Sequence, residues 1–597
     1  MAERLRWPGW LLLILYSGSL FLFRLGDYRT LTGHEGLVAQ IAREMLDSGD
    51  WLVPRIAGRA WLEKPPLPHW CVAAVASLSG GVREDVARLP SVLMGLAGVL
   101  AVAALADRWY GGRRGLLVGL ITATSYYTVT YARLAEADIY LWALVIGCLA
   151  LFGWDWVGTE AGVWHRGSGV RRWLYYGLLG STQLVKGPLF GAVLVLLPCL
   201  AFAAGRIGSD VVREPALRAK MLRFWGWFGW FVHPGLLVCL GLALAWPIAI
   251  LLRYPEAAEL WRIHTFGRLG GNQVLNAAPW WYYATTVPWQ IAPWTIVALL
   301  GLPVGLRRAW HRADGPDRFV ATWFATIFVV LSAVAAKHHH YLIHALPPCA
   351  FWAAEGLERL GQWLMDRLAK VSARRLALAG MIAVSIGAAL GIFVASYYSN
   401  WTYAADVVFL GQLAAIALVA LAVALAGGQA ATATWILFAT IWLAYGWGHQ
   451  SIVPKTDGYR AEVELLRQLP VWADGTRPVF VLGLEPSRLL FYSPVRLEVH
   501  TDPRSLARHA AQEFGTDTCQ VLVLASLAHE DQLRKAGEPQ LLAQAQRTHR
   551  DPLRTLALFR LHLPCQPDGP RPSDPSVGTL EPHSLRSPRK RISSPTS

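Results

Sequence analysis

Five short clusters in this 597-residue chain hold residue types that could do chemistry. They are His34-Glu35, Glu63-Lys64 ahead of Pro65-Pro66, Arg133 with Glu136 and Asp138, Lys186 ahead of Gly187-Pro188, and Lys337 followed by His338, His339, His340 and Tyr341. A carboxylate or a neutral imidazole can take a proton from an incoming hydroxyl. Ammonium and guanidinium groups near a membrane suit a phosphate or pyrophosphate. Each cluster also has a plainer reading. Thr32-x-x-Glu35 is a capping box that would fix a helix start. Lys64 could be a headgroup anchor, and Asp138 favours a helix N-terminus electrostatically. Lys186 interrupts an apolar stretch, and an ionisable residue costing a few kcal/mol near a membrane is a functional candidate by default. His340 and His344 are four apart, a metal-ligand spacing on an α-helix. No carboxylate lies near them in sequence, so contact of Lys337 and His340 with a phosphate is the preferred reading, and no cofactor is expected.

The elements that must position these clusters are membrane spans. Hydrophobic residues make up 54% of the chain and charged residues 16%, with mean hydropathy +0.34; a soluble domain has about 25% charged residues. The 29 tryptophans suit two membrane interfaces. Apolar stretches near 8–24, 89–107, 115–132, 137–154, 173–186, 188–204, 226–252, 283–303, 319–336, 340–357, 376–397, 406–426 and 431–448 predict about thirteen transmembrane helices. Loops rich in Lys and Arg, such as Arg108/Arg113/Arg114 and Arg307/Arg308/Arg312/Arg318, alternate with loops that carry the five clusters. By the positive-inside rule the clusters face away from the cytoplasm. This parity requires that His69 to Val82 not cross, so residues 25–88 form one external loop with interfacial helices. The charge of +15 is explained by that topology, and nucleic acid is not expected as a partner.

Residues 1–450 therefore read as a transmembrane domain. Residues 451–565 change to a soluble composition, with buried strands at 479–482, 521–524 and 556–563 and helices at 505–514 and 530–536, which predicts a small α/β domain. Cys519 and Cys565 are its only cysteines and could pair in an oxidising compartment. Residues 566–597 are rich in Pro, Ser and Arg and read as a disordered tail.

The motifs as a set resemble a known family. Ala39-Gln40-Ile41-Ala42-Arg43-Glu44-Met45-Leu46, Gly49-Asp50-Trp51, Glu63-Lys64-Pro65-Pro66-Leu67, Arg133-Leu134 with Asp138, and Leu184-Val185-Lys186-Gly187-Pro188 resemble the bacterial lipid A aminoarabinose transferases. Those enzymes belong to the protein O-mannosyltransferase-like group of the GT-C superfamily. The resemblance implies a GT-C-like helical membrane fold in the inner membrane. It also implies inverting transfer of a sugar from a polyprenyl-phosphate donor to a hydroxyl or phosphate of a lipid, glycan or protein acceptor. Lys64, Arg133, Lys186, Lys337, His340 and Tyr341 would contact substrate. Where the family has an Asp-Glu pair this chain has His34-Glu35, so Glu35 or His34 would be the base, with Asp138 in the second acidic motif. Two other classes stay open: a lipid-linked glycan transporter or flippase, and a catalytically silent polyprenyl-phosphate-binding protein. A transporter would carry polar residues inside several spans, whereas here they gather at helix ends.

Overall fold

The computed structural model describes residues 3–157, 168–187, 189–213, 228–269, 277–312, 314–371, scattered positions between 375 and 393, and residues 402–473, 475–514, 520–545 and 555–563. The expected tail, the Cys519–Cys565 pairing and the span at 376–397 lie wholly or partly outside those residues.

The apolar runs fold as helices. The first eight are α1 (Trp7–Leu22), α2 (Gly33–Ser48), α3 (Leu67–Ser79), α4 (Glu84–Tyr110), α5 (Gly112–Thr124), α6 (Tyr126–Ala132), α7 (Ala137–Trp156) and α8 (Ser168–Lys186). Among the described residues six helices are long and apolar enough to cross a membrane, and a seventh span arises if Tyr282–Gln290 and Thr295–His311 are taken together. That pair is bent by 114°. The expected straight span at 283–303 is therefore broken: Pro288 and Pro293 remove two amide donors from the helical ladder there. The expected span at 115–132 is likewise divided, at Ser125, into α5 and α6. α1, at 16 residues, and α3, at 13, are apolar but shorter than a span.

α4 packs on α5 and α7, and α7 on α8, around one core that includes Trp142, Phe152, Tyr175, Phe319 and Trp323. Elsewhere small residues bring helices close. A Cβ on Gly301 would lie 1.9 Å from the Trp352 carbonyl oxygen, and one on Gly356 1.8 Å from that of Val297, the kind of backbone approach that membrane helix pairs use.

The 27 residues of α4 measure about 40 Å, and its ends differ. Near the first end Arg88 pairs with Glu35 of the first cluster. At the other, Asp107 accepts from Leu5 N at 2.9 Å and pairs with Arg4 at 3.6 Å. Also among the basic-loop residues, Glu355 pairs with Arg114 at 3.0 Å and with Arg308 at 2.8 Å.

After a short hairpin of β1 (Arg55–Ile56) and β2 (Arg59–Ala60), the C-terminal region supplies β3 (Val479–Leu482), β4 (Leu497–His500), β5 (Gln520–Ser526), β6 (Glu538–Gln544) and β7 (Leu556–His562), which form a five-stranded sheet in the order β4-β3-β5-β7-β6. β3 runs parallel to β4 and β5, and β7 antiparallel to β5 and β6. The three strands expected from sequence are the central ones. The two additional strands are the edges, where polar residues and Pro539 suit a strand with one unpaired side and mask the apolar signal.

Candidate active site

The first cluster is built by the start of α2. Thr32 caps the helix: its Oγ1 accepts from Glu35 N at 3.2 Å, and Glu35 Oε2 accepts from Thr32 N at 2.9 Å. The capping box read from the sequence is thus formed. Glu35 has more partners. Its Oε1 accepts from Arg88 Nε at 2.7 Å and Ala135 N at 3.1 Å, and its Oε2 from Arg88 Nη2 at 3.3 Å. Both side chains are completely buried. Burial alone would raise the Glu35 carboxyl, but the charge and hydrogen bonds of Arg88 hold it below its ordinary value.

His34, one position earlier on the helix, is exposed. It lines a cavity of about 1100 Å³ together with Thr32, Lys64, Glu136, Tyr459 and Glu485. Although the side chain is open to the cavity, the surrounding walls strip water from the ring; that desolvation and the nearby Lys64 ammonium lower its pKa, while the Asp138 charge opposes them. The imidazole is therefore neutral at pH 7. Glu136, at the N-terminal boundary of α7, is pushed up to about 8 by burial and by the charges of Asp138 and Glu35. Thr32 Oγ1 lies 3.4 Å from its Oε1. The sequence offers no sign of that displacement, because Glu35 and Glu136 meet only in the fold.

Two other parts of the chain also line this cavity. Between Asp50 and Trp61 the chain makes a hairpin of β1 (Arg55–Ile56) and β2 (Arg59–Ala60), turning through Ala57 and Gly58 at φ 53° and 73°. Glu44 on α2 accepts from both turn amides, at 2.8 and 3.0 Å. The C-terminal sheet supplies Arg496, Glu498, His500 and the helix residue His509. The sequence does not single out these four residues, since more than 400 positions separate them from His34.

The clusters of Asp138 and Lys186 meet where two helices end. Asp138 in the first turn of α7 accepts from Lys186 Nζ, the last residue of α8, at 2.6 Å. His340 Nε2 lies 3.8 Å from the same oxygen. The ammonium sits 4.7 Å from the centre of the Tyr341 ring, which packs against the His340 ring at 4.7 Å. Gly187 at φ +84° turns the chain away immediately after Lys186. Asp138, Lys186, His340 and Tyr341 are thus brought together, and the Lys186 charge reaches His34.

Two expected substrate contacts point elsewhere. Arg133 is 1% exposed; its Nη1 donates to the carbonyls of Leu20 and Phe21 at 3.0 and 2.8 Å, and Nη2 to that of Phe23 at 2.6 Å. It closes the C-terminal end of α1, where four carbonyls lack intrahelical donors. Lys337 is buried and donates to the Val334 carbonyl. The metal spacing of His340 and His344 also fails, because His339–Ala345 is a 3₁₀ helix; at three residues per turn, positions four apart diverge by about 120°.

The C-terminal region is fastened to this site. Asp457 accepts from Thr30 N and Thr30 Oγ1, both at 2.8 Å. Tyr492 Oη accepts from Leu31 N at 2.7 Å and donates to Glu84. Arg43 donates to the Phe491 carbonyl at 3.0 Å. Gly36 permits the approach: a Cβ there would lie 3.1 Å from Arg488 Cα.

Over most of its length this chain matches a solved structure. ArnT from Cupriavidus metallidurans bound to undecaprenyl phosphate superposes with a TM-score of 0.70 at 20% identity, covering 93% of this chain and 98% of that one. The fold is that of this ArnT structure. The apo ArnT structure from the same organism gives 0.67 at 19% identity, with the same coverage of both chains. The family profile for dolichyl-phosphate-mannose-protein mannosyltransferase matches residues 63–206, the stretch carrying Lys64, Asp138 and Lys186. Among curated proteins the chain is 26% identical over 398 residues to undecaprenyl phosphate-alpha-4-amino-4-deoxy-L-arabinose arabinosyl transferase 1 of Pseudomonas fluorescens, covering 66% of each chain. It is 27% identical over 399 residues to the enzyme of that name from Pseudomonas paraeruginosa, covering 65% of each. The chain thus spans just under two thirds of the length of these curated relatives. The resemblance to aminoarabinose transferases read from the motifs holds in sequence and in fold.

Proposed function

We propose that this chain is an inverting membrane glycosyltransferase that moves a sugar from an undecaprenyl-phosphate type donor to a hydroxyl or phosphate of a lipid, glycan or protein acceptor. The observation that carries the assignment of its base is the division of labour within His34-Glu35. Glu35 is sealed under Arg88 with every hydrogen bond satisfied, and the neutral His34 faces the cavity.

Donor phosphate is held by Lys64 and by Lys186, which Asp138 positions, with His340 and Tyr341 alongside. As the glycosidic C–O bond breaks, negative charge builds on the leaving phosphate and the ammonium groups stabilise it. An acceptor hydroxyl attacks the anomeric carbon from the opposite face and gives its proton to the His34 imidazole. A phosphate acceptor arrives already ionised and needs no base. Protonated Glu136 donates a hydrogen bond inside the cavity without adding charge beside Asp138. Segregation of the basic loops from the site supports a location in the inner membrane, with the cavity and the C-terminal domain on the non-cytoplasmic face. The pentose of the curated relatives is the first sugar to try.

The test is transfer from radiolabelled undecaprenyl-phosphate sugars to lipid and glycan acceptors, comparing wild type with His34→Ala. Loss of transfer to hydroxyl acceptors, with folding retained, supports the assignment. Transfer to hydroxyls at the wild-type rate in His34→Ala removes His34 as base. Absence of transfer from every donor, with undecaprenyl phosphate still bound, favours a silent lipid-binding protein.

A further inference from the structure

At the far side of the cavity, three metal-binding side chains converge that the transfer chemistry does not use. Glu498 and His500 stand two apart on β4, so their side chains leave the same face of the sheet. His509 comes from the helix Pro503–Phe514 that follows the strand. One donor atom from each lies within 4.8 Å of the other two, and all three residues line the cavity that His34 lines. Among the described residues this is the one such group.

The plainer reading is an ion-pair network. His509 Nε2 lies 2.8 Å from Glu498 Oε2 and 2.9 Å from Glu513 Oε2, and Arg496 pairs with both carboxylates. Two features go beyond such a network. The first is a second imidazole, His500, brought to the same point; an ion pair for His509 does not require it. The second is support behind the ligands. Phe480, fully buried, packs against both imidazole rings at 5.4 and 6.1 Å, and Ser505 Oγ lies 3.4 Å from His500 Nδ1. Neighbours of this kind fix the orientation of metal-ligating histidines. Arg496 contacts Glu498 Oε1, which leaves Oε2 as the ligand atom.

We propose that Glu498, His500 and His509 bind a divalent ion of the zinc class, with an open coordination position facing the cavity that takes a phosphate oxygen of the acceptor. Two imidazoles and one carboxylate suit such an ion, at bond lengths of about 2.0–2.2 Å. Tetrahedral ligand atoms then stand about 3.3 Å apart, a contraction that side-chain rotation supplies. Three protein ligands plus one exchangeable position is the pattern of an open zinc site. Arg59 and Arg496 on the same wall add positive charge beside it. The ion itself is independent of the transferase reading; the acceptor phosphate rests on that reading.

The experiment uses the full chain without a polyhistidine tag, in detergent, with Zn²⁺ alone titrated by calorimetry and Co²⁺ as a spectroscopic stand-in. One equivalent is expected, at least ten-fold weaker in Glu498→Gln and in His500→Ala, and unchanged in His340→Ala. Binding that survives Glu498→Gln and His500→Ala, binding lost in His340→Ala, or no stoichiometric binding would overturn the site. Unchanged thermal unfolding of metal-free Glu498→Gln separates a lost ligand from a lost fold. Adding inorganic phosphate should then shift the visible Co²⁺ absorption of wild type. Full metal binding with no such shift overturns the acceptor-phosphate half while leaving transfer by His34 untouched.

Discussion

Replacing Glu35 by glutamine separates catalysis from architecture. The carboxylate receives four hydrogen bonds, two from Arg88, one from Thr32 N and one from Ala135 N, and neither ion-pair partner is exposed. Glutamine keeps one acceptor oxygen and turns an NH₂ toward groups that are all donors, while Arg88 stays charged and buried. Breaking a buried pair from one side costs about 3–5 kcal/mol. Arg88 also donates to the Leu25 carbonyl at 2.9 Å, so the disturbance reaches the segment between α1 and α2. The assay is thermal unfolding and sugar transfer measured on the same purified Glu35→Gln protein. A markedly lower melting temperature is expected, with transfer falling in step with the folded fraction and near wild type per folded molecule. A protein that melts like wild type yet transfers nothing would refute the reasoning and return the base to Glu35.

Other outcomes can be checked alongside. With a hydroxyl acceptor, kcat/KM should fall on the acid side through a pKa below the ordinary histidine value, because His34 must be neutral; His34→Gln should lower the rate and abolish that limb. On the alkaline side the rate should fall near pH 8 as Glu136 ionises beside Asp138, and Glu136→Gln, which mimics the protonated acid, should keep activity and lose that limb. The same raised pKa destabilises the fold as pH rises from about 4.5 to about 8, since the unfolded carboxyl releases its proton first; a melting-temperature series should show a shallower slope in Glu136→Gln. Lys186→Met removes a charged contact worth about 1.5–3 kcal/mol and should lower kcat/KM by roughly 10- to 150-fold, with a smaller change in melting temperature. Asp457→Ala removes both bonds to Thr30 and should expose the segment between α1 and α2 to limited proteolysis.

The sequence was informative where physics is local. Apolar length marked the helices, and Thr32 and Glu35 marked a cap that the structure forms. Lys186 stood out because an ammonium in an apolar stretch is costly. Arg133 was equally visible and points inward, since nothing local shows that the end of α1 needs donors. Glu136 was visible beside Asp138, but its burial next to Glu35 and Thr32 arises only in the fold, and His500 and His509 became notable through a sheet packed against the first loop. The sharp bend after Gln290 had its cause in plain view, in Pro288 and Pro293, but hydropathy averages across a break.

The fastening of Thr30 and Leu31 by Asp457 and Tyr492 has a consequence for the order of events during synthesis. His34, the proposed base, leaves the ribosome early, and Asp457 and Tyr492, which hold its segment in place, emerge more than 400 positions later. A partly made chain therefore carries His34 and Lys64 early and gains the residues that line the same cavity, Arg496 to His500, last. On the proposed function, a chain stopped before Asp457 would already be inserted in the membrane yet lack both the clasp on Thr30 and the Arg496–His500 wall of the cavity.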